Sequence, residues 1–99
     1  QWEWAVNALE KYPWTGSERV LDLGCGDGKI TAFISKECSQ GLVVGYDISP
    51  NMITFASSLF RKDTFTNLLF QEGDIAILPF RDQFDLAVAF CSLHYVVEQ

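Results

Sequence analysis

The feature that most constrains the fold of this chain is a buried-strand pattern that leads directly into a loop with three glycines. Residues 19–23 (RVLDL) predict the strand, and an apolar helical pattern begins at Lys29. The glycines between them stand at alternate positions, namely Gly24, Gly26 and Gly28. Glycine lets a backbone turn tightly and approach a ligand that side chains would exclude, and a helix N-terminus adds free N–H groups. The pattern predicts a ligand-binding turn between a strand and a helix.

Two common nucleotide-binding motifs do not fit this loop. A dinucleotide fingerprint counted from Gly24 requires a third glycine at position 29, which is Lys29. A phosphate loop that ends in Gly28 requires glycine at position 23 and Ser or Thr at position 30, which are Leu23 and Ile30. The pattern that remains is a strand acid followed by glycines at alternate positions.

Strand and helix patterns alternate along the rest of the chain. Helices are predicted over 1–12, over 29–38 and from Pro50, which follows the N-cap residue Ser49. Strands are predicted over 19–23, 42–47, 67–72 and 84–90. The third helix carries an apolar stripe of Met52, Phe55, Ala56, Leu59 and Phe60. This alternation predicts an α/β fold, a doubly wound and mostly parallel sheet with helices on both faces, which binds ligands beyond the carboxyl ends of its strands.

Length and composition are those of one compact domain. The chain has 99 residues, of which 48% are hydrophobic, and no apolar run reaches the roughly 20 residues of a membrane span. It begins without Met inside the leading helix and ends shortly after the last predicted strand. We therefore expect an N-terminal fragment with a single domain over 1–99, in which helix 1–12 precedes a core over 18–96.

Charge and cysteine usage argue against several classes of function. Thirteen acidic and seven scattered basic residues give a net charge of −6, so a nucleic-acid-binding surface is not expected. The three cysteines are odd in number and lack CxxC spacing, which argues against a disulfide framework and against a metal site. Reduced thiols in a cytoplasmic protein that does not bind membranes are the simpler interpretation.

The segment VLDLGCGDG at 20–28 resembles the first motif of class I S-adenosylmethionine-dependent methyltransferases, whose usual form is close to VLDLGCGxG. The resemblance spans about residues 18–96 and implies a Rossmann-like core, truncated after about four strands. It also implies S-adenosylmethionine as cofactor and S-adenosylhomocysteine as product. In that family the glycine loop runs beside the methionine part of the cofactor, and the strand acid, here Asp22, orients the loop or reaches the amino group. The cofactor-binding residues expected in this loop are Asp22, Gly24, Cys25, Gly26 and Gly28.

An acid at the tip of the second strand is the next candidate. The carboxylate of Asp47 can accept hydrogen bonds from both ribose hydroxyls, and it follows the glycine loop by the roughly 20 residues typical of nucleotide-binding βαβ units. The alternative for this acid alone is a simple helix cap. The family has a matching GxDxS segment, which implies that Ile48 packs on adenine; we expect Met52 in the same site.

The third candidate follows the third strand. The resemblance implies that Asp74 meets the adenine amino group and that the backbone N–H of Ile75 contacts a ring nitrogen. The downstream segment LPF at 78–80 strengthens the match. Taken alone, Asp74 fits equally the surface turn beside Gly73.

Past the fourth strand, the resemblance implies that Phe90 and Cys91 line the region of the sulfonium. The segment LHYV at 93–96 resembles carboxyl methyltransferases of the trans-aconitate, juvenile hormone acid and malonyl carrier-protein types. His94 and Tyr95 are therefore the candidate catalytic residues, and the alternative for His94 is a solvent-facing position at a helix start. An anionic acceptor needs no general base, which fits the absence of an obvious one.

The function expected from these motifs is methyl transfer to a small-molecule acceptor such as a carboxylate. Two alternatives stay open, namely a non-catalytic nucleotide-binding or regulatory module and an NAD-dependent oxidoreductase half-domain. The aromatic residues Trp2, Trp4, Tyr12 and Trp14 either pack the leading helix or close over the cofactor. A fourth strand that ends the sheet would leave an open edge, which predicts a homodimer through that edge.

Overall fold

The computed structural model describes residues 2–74, 83–89 and 95–98. Helices and strands follow in these ranges as α1 (Trp2–Glu10), β1 (Arg19–Leu23), α2 (Lys29–Glu37), β2 (Leu42–Asp47), α3 (Pro50–Leu59), β3 (Leu68–Glu72), β4 (Leu86–Ala89) and β5 (Tyr95–Glu98). The predicted helices and the four predicted strands are confirmed to within a few residues. Within the same ranges, no helix is long and apolar enough to cross a membrane.

The strands form one sheet in the order β3-β2-β1-β4-β5. The first four strands are parallel, and β5 runs antiparallel to β4. The chain moves outward from β1 to β3 and then returns to the other side of β1, so the strand order reverses between β1 and β4. In a doubly wound sheet this reversal opens a crevice at the carboxyl ends of the strands. The glycine loop that follows β1 lies at this point, as the sequence predicts.

Alternation along the strands separates the core into two buried clusters. The first joins α1 and α2 to one face of the sheet and contains Ala5, Leu9, Val20, Ala32, Ile34, Cys38, Val43, Leu68, Leu86 and Val88. The second lies on the opposite face and contains Leu21, Val44, Tyr46, Phe84 and Ala87. The helices of the described ranges pack on the first face, so helices on the second face remain a prediction.

The expectation of an open edge at β4 is wrong. Strand β5 pairs with β4 in antiparallel register, from Leu86 opposite Glu98 to Ala89 opposite Tyr95. The β-branched residues Val96 and Val97 favour a strand here. The prediction of a homodimer depended on an open edge at β4, so it no longer has this structural basis.

The apolar stripe of α3 is buried less than its periodicity predicts. Of this stripe only Ala56 is fully buried, whereas Phe55 is 50% exposed and Leu59 is 52% exposed. The helix contacts β2 and β3, and no described strand continues the sheet beyond β3. A helix over the edge of a sheet has a contact surface on one flank only, so part of its apolar stripe stays uncovered.

Of the aromatic residues around α1, Tyr12 and Trp14 pack at the exit of the helix, whereas Trp2 is 39% exposed and Trp4 is 48% exposed. Ala5 and Leu9 are the buried residues of α1. The indole Nε1–H of Trp14 donates to the carbonyl of Leu9 at 2.8 Å, and its ring lies 4.6 Å from that of Tyr12, measured between centroids. These contacts fold the segment after the helix back onto it.

A single amide side chain joins β3 to the end of α2. The Nδ2 group of Asn67 donates to the carbonyls of Ser35 and Cys38 at 3.0 and 2.9 Å. The last carbonyls of a helix lack partners within the helix. The Cys38 carbonyl also accepts the N–H of Gly41 at 2.9 Å, so Asn67 adds a second donor there and a donor to the carbonyl of Ser35.

Asn67→Ala is expected to lower the free energy of unfolding by about 1–2 kcal/mol, because it removes two hydrogen bonds at the end of α2. The Cys38 carbonyl keeps the N–H of Gly41 as a donor. Asn7→Ala, at an exposed position of α1, is the matched control and should change stability by less than about 0.5 kcal/mol. Urea denaturation followed by circular dichroism measures both. Equal transition midpoints for the two variants would contradict the structural role of Asn67.

Candidate cofactor site

The glycine loop owes its shape to three left-handed backbone conformations. The φ angles are +71° at Gly24, +57° at Gly26 and +84° at Gly28, and L residues with a side chain adopt this region rarely. The N–H groups of Gly24 and Cys25 both donate to the carbonyl of Tyr46, at 2.7 and 3.2 Å. The loop is thereby attached to the carboxyl end of β2.

The ring of Phe70 supports this loop from beneath. A Cβ atom added at Gly28 would stand 2.7 Å from Phe70 Cζ and 3.0 Å from Ala56 Cβ, and one at Gly45 would stand 2.8 Å from Phe70 Cδ1. Two glycines from different segments thus leave the space that one phenylalanine of β3 fills. Sequence reasoning missed Phe70, because it lies 42 positions from Gly28 and no local pattern relates the two.

The carboxylate of Asp47 connects the segments that surround the site. Its Oδ2 accepts the Gly26 N–H at 2.9 Å and its Oδ1 accepts the Ser49 N–H at 3.0 Å. Its backbone carbonyl accepts the N–H of Gly73 at 2.9 Å. The glycine loop, the start of α3 and the end of β3 therefore meet at one half-buried acid.

The acid within β1 lies behind the loop and not at its surface. Asp22 is 2% exposed, and its Oδ2 accepts the hydroxyl of Thr31 in α2 at 2.7 Å. Burial raises the pKa of this carboxyl to about 7; the Thr31 bond opposes the shift, and the negative charge of Asp47 adds to it. Of the two expected roles, the geometry fits orientation of the loop, since the contact ties β1 to α2 across it. The sequence analysis did not identify Thr31, although a polar residue on the buried face of a predicted helix such as α2 can indicate a role of this kind.

Two further predicted residues stand at the same edge of the sheet. Ile48 follows β2 and is 64% exposed. Met52 lies in the first turn of α3, where its N–H donates to the Ser49 side chain at 3.2 Å, which confirms the predicted N-cap. The Met52 Cε atom lies 4.0 Å from the position of a Cβ at Gly26. An apolar surface thus adjoins the glycine loop.

The remaining predicted residues fall into two groups. Asp74 is exposed and directly follows Gly73, whose N–H bonds to Asp47, so it lies at the same end of the sheet. Tyr95 begins β5, where it is paired with Ala89. The other four, Ile75, Phe90, Cys91 and His94, lie outside the described residues.

The loop cysteine is not a nucleophile in this setting. The residue is 8% exposed, and burial together with the charges of Asp22 and Asp47 raises the pKa of the Cys25 thiol to about 12. A thiol is nucleophilic as the thiolate, which is scarce at neutral pH when the pKa lies this high. In the described ranges no group of three or more His, Cys, Asp or Glu side chains is placed to hold a metal ion.

A doubly wound sheet with a glycine loop at the reversal of its strand order defines a Rossmann-like cofactor-binding domain. A family model described as a methyltransferase domain matches residues 15–99, and the chain belongs to this family. The predicted resemblance to methyltransferases is thereby confirmed.

Individual relatives agree with this assignment. The chain is 34% identical to the trans-aconitate 2-methyltransferase of Escherichia coli over 92 residues, which are 93% of this chain and 34% of that protein. It is 34% identical to the juvenile hormone acid O-methyltransferase of Bombyx mori over 86 residues, 83% of this chain and 30% of that protein. The crystal structure of the YcgJ protein from Bacillus subtilis matches with a TM-score of 0.80 and 27% identity, covering 90% of this chain and 38% of that one. The chain therefore spans about a third of the length of the curated relatives it matches.

Proposed function

We propose that this chain forms the S-adenosylmethionine-binding part of a small-molecule methyltransferase. The observation that carries the proposal is the pair of hydrogen bonds that hold the Asp47 carboxylate between Gly26 and Ser49. Each carboxylate oxygen keeps a further lone pair, so the fixed acid can still accept the two hydroxyls of a ribose. Such an acid beside a glycine-rich loop suits a nucleoside cofactor whose remaining part lies along the loop.

The neighbouring residues supply complementary surfaces for the rest of the cofactor. Ile48 offers an exposed apolar side chain at the tip of β2, which suits the face of a purine ring. Met52 adjoins Gly26, and Asp74 offers an acceptor to the amino group of adenine. Ile75, Phe90 and Cys91 complete the proposed site on the strength of the sequence resemblance alone.

The proposed reaction needs orientation more than acid–base chemistry. When bound, S-adenosylmethionine supplies an activated methyl group on a sulfonium centre. The glycine loop and Asp47 would hold the donor for in-line transfer, and positioning of this kind can contribute on the order of 7–11 kcal/mol to catalysis. The Cys25 thiol stays protonated, and an acceptor that is already anionic needs no base. Two relatives are named for acidic acceptors, which supports a carboxylate acceptor here.

The state of the cysteine side chains is relevant to the cellular compartment of the protein. Both described cysteines, Cys25 and Cys38, are free, and burial raises the pKa of the Cys38 thiol to about 12. Buried thiols with a raised pKa resist oxidation in any compartment, so the cytoplasmic location is proposed on the cysteine usage of the sequence alone.

Asp47→Asn is expected to weaken binding of S-adenosylhomocysteine by about tenfold to a hundredfold, since it removes the charge that strengthens two hydrogen bonds to the ribose. Calorimetric titration of the chain measures the affinity, with NAD and ATP as competing nucleotides. Asp63→Asn is the matched control, because Asp63 is an exposed acid paired only locally with Arg61, and its affinity should equal that of the wild type. At about 100 times the dissociation constant the ligand should also stabilise the fold by roughly 2.7 kcal/mol in a melt.

Three other results, two from this titration and one from an activity assay, would each contradict part of the proposal. Tighter binding of NAD would indicate an oxidoreductase half-domain. Equal affinities of the Asp47 and Asp63 variants would remove Asp47 from the ribose site. Binding of S-adenosylhomocysteine without any methyl transfer by a full-length protein that contains this chain would indicate a regulatory module.

A further inference from the structure

The glycine that follows β3 is required by the space around it and not by its backbone conformation. The described glycines with φ angles in the left-handed region do not include Gly73, so an L residue could adopt its conformation. A Cβ atom added at Gly73 would overlap the hydroxyl and the ring of Tyr46, with the Cε1 atom of that ring at 2.7 Å. The ring of Tyr46 thus excludes every side chain from position 73.

Tyr46 itself is fixed by its surroundings. Its side chain is 3% exposed and belongs to the second buried cluster. Its backbone carbonyl accepts the N–H groups of Gly24 and Cys25, which attaches it to the glycine loop. Gly73 is less buried and directly precedes the exposed Asp74. Because a close-packed interior yields less readily than an exposed segment, an added Cβ would displace Gly73 and not the ring.

The end of β2 therefore holds Gly73 in two ways. The carbonyl of Asp47 accepts the Gly73 N–H at 2.9 Å, and the ring of Tyr46 lies where a Gly73 side chain would stand. Tyr46 and Asp47 are consecutive residues. The same strand end thus fixes the acid proposed for the ribose and the segment that carries Asp74, the acid proposed for adenine.

We propose that Tyr46 is a positioning residue that sets the selectivity of the site for adenine. This inference rests on the proposed function, which assigns the ribose to Asp47 and the adenine amino group to Asp74. By fixing Gly73, the ring of Tyr46 fixes the distance between these two acids. Hydrogen bonds weaken steeply when their geometry is lost. A displaced Asp74 would therefore no longer distinguish an amino group from another substituent at the same position of the purine.

The test compares S-adenosylhomocysteine with S-inosylhomocysteine, which carries a carbonyl oxygen in place of the adenine amino group. Calorimetric titration of the chain with each ligand gives the ratio of the two affinities, which we call the adenine ratio. The wild type should have an adenine ratio of at least about ten, because a carboxylate accepts the amino group and repels a carbonyl oxygen. Asp74→Ala should lower the adenine ratio to about one. Asp47→Asn should weaken both ligands alike and leave the adenine ratio unchanged, since they share the ribose.

The variants at the contact itself separate positioning from stability. Gly73→Ala should lower the adenine ratio at least about threefold, while the affinity for S-inosylhomocysteine changes less than about twofold. The double variant Gly73→Ala with Tyr46→Leu should have a higher adenine ratio than Gly73→Ala, because leucine ends before the atoms that the added Cβ would overlap. Tyr46→Phe keeps the packing of the ring but lacks the hydroxyl, and it should lower the adenine ratio by a smaller factor. Gly16→Ala, which adds a Cβ in open space, is the control for stability and should keep the wild-type ratio.

Several results would overturn the role of Tyr46. A wild-type adenine ratio in both Gly73→Ala and Tyr46→Phe would remove the contact from selectivity. An equal loss of affinity for the two ligands would assign the contact to the stability of the site alone. A wild-type chain that binds both ligands equally would show that Asp74 does not bind the amino group, while the ribose site would stand. Failure of the wild type to bind S-adenosylhomocysteine at all would instead contradict the proposed function.

Discussion

Asp22→Asn is expected to raise the free energy of unfolding at pH 8 and to flatten its pH dependence between about pH 4 and pH 7. The Asp22 carboxyl is buried, and burial raises its pKa from 3.8 to about 7, against the opposing bond from Thr31. Between these two values the folded chain holds a proton that the unfolded chain has already released. Stability therefore falls as the pH rises through this window, and above it the buried carboxylate costs up to about 4 kcal/mol. The asparagine side chain keeps an oxygen that can accept the Thr31 hydroxyl.

A second acid, Glu18, also makes the stability depend on pH. The difference between the wild-type and Asp22→Asn stability profiles is therefore more informative than the wild-type profile alone. Burial disfavours the Glu18 carboxylate, but N–H bonds from Thr15 and Gly16 outweigh it and hold its pKa below 4.5. Glu18 therefore contributes stability that is present above pH 4.5 and is lost as the pH falls, the opposite sense to Asp22. Subtracting the profile of Asp22→Asn from that of the wild type cancels this contribution.

Urea denaturation from pH 4 to pH 9 at constant ionic strength measures the two profiles. Thr31→Val is the control variant, because removal of the bond that favours the carboxylate should extend the falling limb above pH 7. A wild-type-minus-variant difference that does not change with pH would show that Asp22 does not carry a displaced pKa.

Gly28→Ala is expected to lower the free energy of unfolding by about 3 kcal/mol and to abolish binding of S-adenosylhomocysteine. Two costs combine at this position. The φ angle of +84° strains any residue with a Cβ, and that Cβ would overlap the ring of Phe70 at 2.7 Å. Moving the ring to relieve the overlap would also disturb the packing at Gly45, beneath the same loop.

Gly16→Ala separates strain from overlap. Gly16 has a φ of +96° and nothing within 4 Å of an added Cβ, so its variant should lose only about 1 kcal/mol through strain. The double variant Gly28→Ala with Phe70→Leu should be more stable than the sum of the two single losses predicts, since the smaller side chain makes room. Thermal melts with calorimetric titration measure both effects. Equal losses at Gly16 and Gly28 would remove Phe70 from the support of the loop.

The parts of the site that could be predicted from the sequence are those set by neighbouring residues. The alternate glycines required left-handed backbone, which Gly24, Gly26 and Gly28 adopt. Ser49 before Pro50 predicted the N-cap that the structure contains. The position of Asp47 at a strand tip placed it near the loop, because carboxyl ends of parallel strands meet at one edge. The hydrogen bond between Asp47 and Gly26 could not be predicted from the sequence, because it joins residues 21 positions apart.

By itself the sequence determined the order of the helices and of the first four strands, the glycine loop and the end of the sheet where the candidate site lies. These follow from backbone preferences and from periodicity within single segments. Only the tertiary structure decided that Phe70 fills the space under the loop and that Asn67 caps α2. It also decided that β5 closes the edge of β4 and that two of the five residues of the α3 stripe stay exposed. Each of these depends on which distant segments pack together and how much surface each covers, which no local pattern contains.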